Sequence, residues 1–211
     1  MVSTMPTSPG EPLVTALHEL WAHIREATPE LPPARIALSA SGPPGHGPDR
    51  WTEEEDGAVA GLVITLPTLR EGADAVMTEV LHHAAHLLSW QRGVADTASR
   101  GAYHTQAFVS AAEELGLCWP EGAPRHRARG YADVEPTPAT TVQYAADVGR
   151  LKIALPDAVA ELEPLTEKRA RPERITLRCE CDKPRTIKVS PTVAALGPIV
   201  CGVCRQSFTS D

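Results

Sequence analysis

The stretch 78-TEVLHHAAHLLSW-90 sets histidines at 82, 83 and 86 into a run that otherwise reads as a buried helix. From Ala73 to about Trp90, Val76, Met77, Val80, Leu81, Ala84, Leu87 and Leu88 recur at helical spacing over a wide apolar arc. Gly93 follows where a helix-stopping glycine belongs. Residues four apart lie one turn apart on nearly the same face, so the imidazoles of His82 and His86 can reach one ion. A single histidine on such a helix is ordinarily a hydrogen-bonded core residue. Three in five positions would leave several buried polar atoms to satisfy, and their spacing favours a metal. Zinc in a catalytic site takes three protein ligands and keeps one position open. The third donor must therefore come from elsewhere, and His104 is the best candidate, at the head of a second core helix expected over HTQAFVSAAEELGL (104–117).

Working outward, Leu13, Leu17, Leu20, Trp21 and Ile24 form one face of a helix from Glu11 to about Ala27, ended by Pro29, Pro32 and Pro33. RIALSA (35–40) and AVAGLVITL (58–66) read as strands of a small sheet, joined through the proline- and glycine-rich SGPPGHGPDRW (41–51). Beyond Pro120 the chain becomes irregular. A further helix is expected from Val142 to about Leu155, stopped by Pro156, and PLTEKRARPER (164–174) reads as a charged linker. The expected fold class is α+β, a small sheet with helices carrying a zinc-peptidase-like site, followed by a zinc ribbon. The expected organisation is a flexible N-terminus (1–10), a metallopeptidase-like domain (11–119), an irregular or helical connection (120–175) and the ribbon (176–211).

The ribbon rests on cysteines. Four of the five lie near the C-terminus, and a chain expected in the cytoplasm uses thiols as ligands or core residues rather than as a disulfide framework. ITLRCECDKPRTIKVS (175–190) reads as two strands around a turn at Asp182–Arg185, with two-residue alternation aiming Cys179 and Cys181 the same way. GPIVCGVCRQSF (197–208) then supplies Cys201 and Cys204 as a C-x-x-C knuckle. Four convergent thiolates suit tetrahedral, structural zinc, and a segment this short lacks the apolar residues for an unassisted core. The first pair is C-x-C rather than the commoner C-x-x-C, and Cys118, standing alone, is assigned to packing.

No run approaches the roughly 18 consecutive apolar residues of a membrane span, so no membrane partner is expected. The net charge of −7 argues against a globally attractive surface for nucleic acid, but residues 167–211 carry nine Lys/Arg against five Asp/Glu. Arg171, Arg174, Arg178, Lys183, Arg185 and Lys188 can therefore contact phosphates, or simply form a solvated basic surface.

TEVLHHAAHLLSW, the DTASRGAYHTQAF connection (96–108), AAEELGL (111–117) and the paired cysteines together resemble the SprT-like zinc metallopeptidases, the Spartan-related family. The likeness covers most of residues 57–119 and, more loosely, 176–211. It implies zinc on His82, His86 and His104, about two zinc ions in all with the cysteine site, a protein substrate or binding partner, and DNA as a further partner through the basic C-terminal region. The family carries glutamate directly after the first histidine, where it takes a proton from zinc-bound water; here that residue is His83. Loss of a general base costs about 10² to 10⁴ in rate. An imidazole beside a dication is a poor replacement, so impaired proteolysis is expected, with a catalytically silent protein- or nucleic-acid-binding module as the alternative. Glu79, three residues before His82 and four before His83, can orient either ring, act as a relocated base, or sit solvated on the polar edge.

Overall fold

A computed structural model describes residues 10–40, 50–166 and 174–210. It divides into two compact units, residues 1–166 and 167–211. The expected flexible N-terminus, Gly10 apart, and most of the expected charged linker lie outside the described residues.

In the first unit, helix α1 (Glu11–Ala27) buries Leu13, Leu17, Leu20, Trp21 and Ile24, the stripe expected from their spacing. Strand β1 (Ala34–Ser39), the short β2 (Thr52–Glu53) and β3 (Val59–Thr65) form a three-stranded sheet in the order β1-β3-β2. The β1/β3 pairing is parallel and β2/β3 antiparallel. Arg35 faces Ala60 while Ile36 faces Leu62, which leaves Gly61 as the extra residue of a bulge, at φ +124°. Only glycine fits there. A Cβ on Gly61 would stand 2.5 Å from the Arg50 carbonyl oxygen and 2.8 Å from Trp51 Cε3.

Helix α2 (Leu66–Glu71) is capped by Thr65, whose hydroxyl accepts from the Thr68 amide, and Gly72 separates it from α3 (Ala73–Gln91). Helix α3 is the spine of the core. Its residues are buried continuously from Val80 to Ser89, because the sheet, α1 and the helices over residues 106–114 and 145–162 surround it. The polar connection after α3 forms a two-stranded piece, β4 (Thr97–Ala98) with β5 (Tyr103–His104), which feeds α4 (Gln106–Glu114). His104 therefore sits in a strand and not at the head of a helix; the helix begins only after the N-cap Thr105.

Strands β6 (Leu117–Cys118) and β7 (Glu135–Pro136) pair next, followed by α5 (Pro138–Gln143) and α6 (Ala145–Leu162). The single helix expected from Val142 to Leu155 is thus two, and Pro156 lies inside the second. Proline in a helix interior costs about 3 kcal/mol because it removes one backbone bond. Pro156 is exposed, which leaves the bereft carbonyl near solvent, while Leu155 and Ala158 on either side are buried and hold the helix to the core. Asp147, 1% exposed, fastens α6 to α1 by lying 2.9 Å from His23 Nδ1, and it accepts from Arg150 of its own helix at 2.6 Å. None of the helices among the described residues is long and apolar enough to cross a membrane.

In the second unit, β8 (Ile175–Arg178) pairs with β9 (Thr186–Val189), a short helix α7 (Pro191–Ala195) follows, and β10 (Thr209–Ser210) returns to the other edge of β8. Strand β8 ends at Arg178. Cys179 and Cys181 consequently lie in the turn, and backbone curvature, not strand alternation, brings their thiols together.

Candidate metal centres

Helix α3 delivers His82 and His86 one turn apart, and β5 delivers His104 across from them. The three Nε2 atoms form an equilateral triangle: His82 to His86, His86 to His104 and His82 to His104 are each 3.1 Å. Two nitrogens bound to one tetrahedral zinc at 2.0–2.1 Å stand about 3.3 Å apart, so the donor set fits that ion. All three side chains are buried, and Phe108 of α4 lies beneath them with its centroid 4.6 Å from each imidazole.

The other ring nitrogens explain why Nε2 is the atom presented. His86 Nδ1 lies 2.6 Å from Asp96 Oδ2, and His104 Nδ1 lies 3.2 Å from the Arg129 carbonyl. Acceptors at both Nδ1 positions hold the protons there and leave lone pairs on Nε2. Converging lone pairs at 3.1 Å repel one another unless a cation sits among them. Burial also pushes the His104 pKa down, which disfavours a proton as that cation. Burial raises the Asp96 carboxyl to about 7.

Backbone bonds build this second layer. Thr105 donates to the Asp96 carbonyl through both its amide (2.9 Å) and its hydroxyl (3.0 Å), so Asp96 and His104 are set by one tight loop. Gly130, at φ +65°, lets the 126–131 loop close on His104, where a Cβ would stand 2.1 Å from the His104 carbonyl oxygen. Asp96, Phe108 and Arg129 were not singled out from the sequence as parts of the site. Asp96 was accessible in principle, being the one carboxylate between Gln91 and Tyr103 and so the natural partner for a ligating histidine.

His82 and His104 form part of the wall of a cavity of about 510 Å³, together with Glu79 and Arg129. Glu71, Asp133 and Glu135 also line it, and Arg129 is paired with Asp133 at 3.0 Å, which leaves the rim acidic. His86 and Asp96 border a second cavity of about 340 Å³ between Trp51 and Trp90.

His83 points elsewhere. Its centroid lies 6.0 Å from that of His82 with the planes at 87°, and its side chain is wholly buried. Nε2 lies 3.1 Å from the Val63 carbonyl and 3.0 Å from Glu79 Oε1, while Nδ1 lies 3.2 Å from Arg50 Nη1. Burial is the main cause that lowers its pKa, against the opposing effect of the hydrogen bond that Glu79 accepts from it. Arg50, brought down to about 10 by burial, remains a cation at neutral pH. Glu79 thus pairs with His83, one of the two rings it was expected to orient.

In the second unit the sulfurs of Cys179, Cys181, Cys201 and Cys204 all lie within 4.8 Å of one another, with Cys181 to Cys201 at 3.7 Å. Tetrahedral zinc with bonds of 2.3 Å separates sulfurs by about 3.8 Å, so this set also fits. The Cys204 and Val203 amides lower the Cys201 thiol to about 6, with Arg185 donating to its sulfur at 2.7 Å. The Arg185 amide lowers Cys179, whereas the Cys179 and Cys204 thiols push Cys181 up to about 12. These are two candidate metal sites, a histidine triad and a cysteine tetrad, each compatible with zinc. No family model, curated protein or solved structure matches the chain.

Proposed function

We propose that the chain is a SprT-like zinc-metallopeptidase-type protein with impaired proteolysis, its first unit holding one zinc on His82, His86 and His104 and its second a zinc ribbon on Cys179, Cys181, Cys201 and Cys204. The observation that carries the reading is the triangle of Nε2 atoms at 3.1 Å with Nδ1 acceptors behind two of its members. Zinc held by three imidazoles is a Lewis acid with room for exchangeable ligands. The chain's own contribution is orientation: Asp96 and the Arg129 carbonyl fix two rings, Phe108 supports all three, and the cavity beside His82 and His104 admits a substrate segment.

The impairment follows from residue 83. Its imidazole is enclosed by Arg50, Glu79 and the Val63 carbonyl, so the position that carries the general base in the family serves here to join α3 to the sheet. This same observation favours the second reading, a catalytically silent, zinc-stabilised module that binds protein or, through its basic C-terminal residues, DNA.

The purified chain should hold about two zinc ions, and His86→Ala should remove one of them. Cleavage of an unfolded polypeptide should be slow and should rise in His83→Glu. One zinc per chain in the wild type, unchanged in His86→Ala, would overturn the metal reading. Full cleavage that survives His86→Ala would overturn the catalytic one.

A further inference from the structure

Glu79, His83 and Arg50 form a chain of contacts that starts at the bulge in β3 and ends in the cavity beside the histidine triad. At its inner end, Arg50 Nε donates to the carbonyl of Gly61 and the guanidinium carbon sits 5.0 Å over the Trp51 ring. In the middle, His83 Nε2 faces two oxygens, the Val63 carbonyl at 3.1 Å and Glu79 Oε1 at 3.0 Å. Oxygens accept, so the ring proton belongs on Nε2, and Nδ1 is the atom that accepts from Arg50 Nη1 at 3.2 Å. Arg50 Nη2, also 3.2 Å from Nε2, is then a second donor lying alongside and not a hydrogen bond. At the outer end Glu79, with 27% of its side chain exposed, lines the same cavity wall as His82 and His104.

A histidine that only filled space would need none of this. Burying a guanidinium beside a neutral ring is costly, and the arrangement offsets that cost because the line of polarised bonds runs from the cation to an anion. The end that reaches solvent is the carboxylate. Glu79 is also one helical turn from His82, close enough to feel the centre and outside the set of converging donor atoms.

We propose that His83 is a positioning residue that holds Glu79 as the carboxylate facing whatever the histidine centre binds. This rests on the metal reading of that centre. A fixed negative charge there opposes anionic ligands and favours neutral, hydrogen-bond-donating ones such as water or an amide.

The test uses the full chain loaded with cobalt(II) and titrated with azide, followed by the visible d–d absorption. The cysteine site has four protein ligands and no open position, so an azide-dependent change reports the histidine centre. Glu79→Gln should bind azide about three- to tenfold more tightly than the wild type, as expected for one unit charge removed about a turn away in a partly solvated cavity. His83→Ala should also tighten azide, because the released carboxylate turns toward water, and the Glu79→Gln/His83→Ala double variant should gain nothing beyond Glu79→Gln alone. His83→Gln, whose amide N–H can replace Nε2–H, should restore wild-type affinity and guards against misfolding in the alanine variant. Azide affinity in Glu79→Gln within twofold of wild type, or additive effects in the double variant, would overturn the positioning role. Absence of any azide response in the wild type, with the same cobalt content in His86→Ala, would instead remove the metal reading and the proposal with it.

Discussion

Asp96→Asn is the most informative single change at the histidine centre. Asp96 Oδ2 lies 2.6 Å from His86 Nδ1, and its side chain is 11% exposed, so water cannot readily take its place. The two bonds from Thr105 go to the Asp96 backbone carbonyl, and the substitution leaves them intact. Two outcomes bracket the effect. If asparagine turns its oxygen to Nδ1, the tautomer survives and only the charge assistance is lost. If it turns its amide, two donors face each other, the imidazole proton moves to Nε2, and His86 stops offering a lone pair to the triad. Removing such a partner weakens metal binding by about 10- to 100-fold, which is about 1.4 to 2.8 kcal/mol. The assay is zinc competition against a chromophoric chelator, with Cys201→Ser as the control for the other site. Zinc affinity of the histidine centre within threefold of wild type in Asp96→Asn, alongside its loss in His86→Ala, would refute the claim that the carboxylate sets the tautomer.

Gly61→Ala should destabilise the first unit by about 1–3 kcal/mol, because φ +124° and the 2.5 Å approach to the Arg50 carbonyl force the bulge to move; an unchanged urea midpoint would show that the bulge relaxes at no cost. The pH dependence of the zinc-free chain carries the signature of His83. Its folded pKa lies below the ordinary value of 6.5 because of burial, so as pH falls below 6.5 the unfolded chain takes the proton first and stability is lost. His104 acts in the same direction, and Asp96, raised to about 7, in the opposite one, favouring the folded state as pH falls from 7 toward 4. Comparing denaturant midpoints at pH 7.5 and 5.5 in wild type and His83→Gln isolates the first contribution. An equal loss in both proteins would mean that His83 takes up its proton as readily in the fold as in the unfolded chain.

Much of this was legible in the sequence. The α1 stripe, the strands at 34–39 and 59–65 and the long α3 follow from apolar periodicity, and the pairing of His82 with His86 follows from the pitch of the helix. Cys201 and Cys204 declared themselves in the same way, by a spacing that a single knuckle satisfies. What these have in common is range: each depends on residues a few positions apart, whose relation the local backbone geometry fixes.

The remainder depended on packing between segments. Nothing local places His104 in a two-residue strand and not on a helix, carries α6 through Pro156, or sends residue 83 inward to Arg50 while its neighbour at 82 joins the triad. Those outcomes come from which surfaces α3 must share at once: the sheet on one side, α4 and the 96–105 loop on another. A histidine side chain is ambiguous in isolation, donor or acceptor, ligand or strut. The partner that meets each ring nitrogen decides which it becomes, and that partner is brought there by tertiary contact alone.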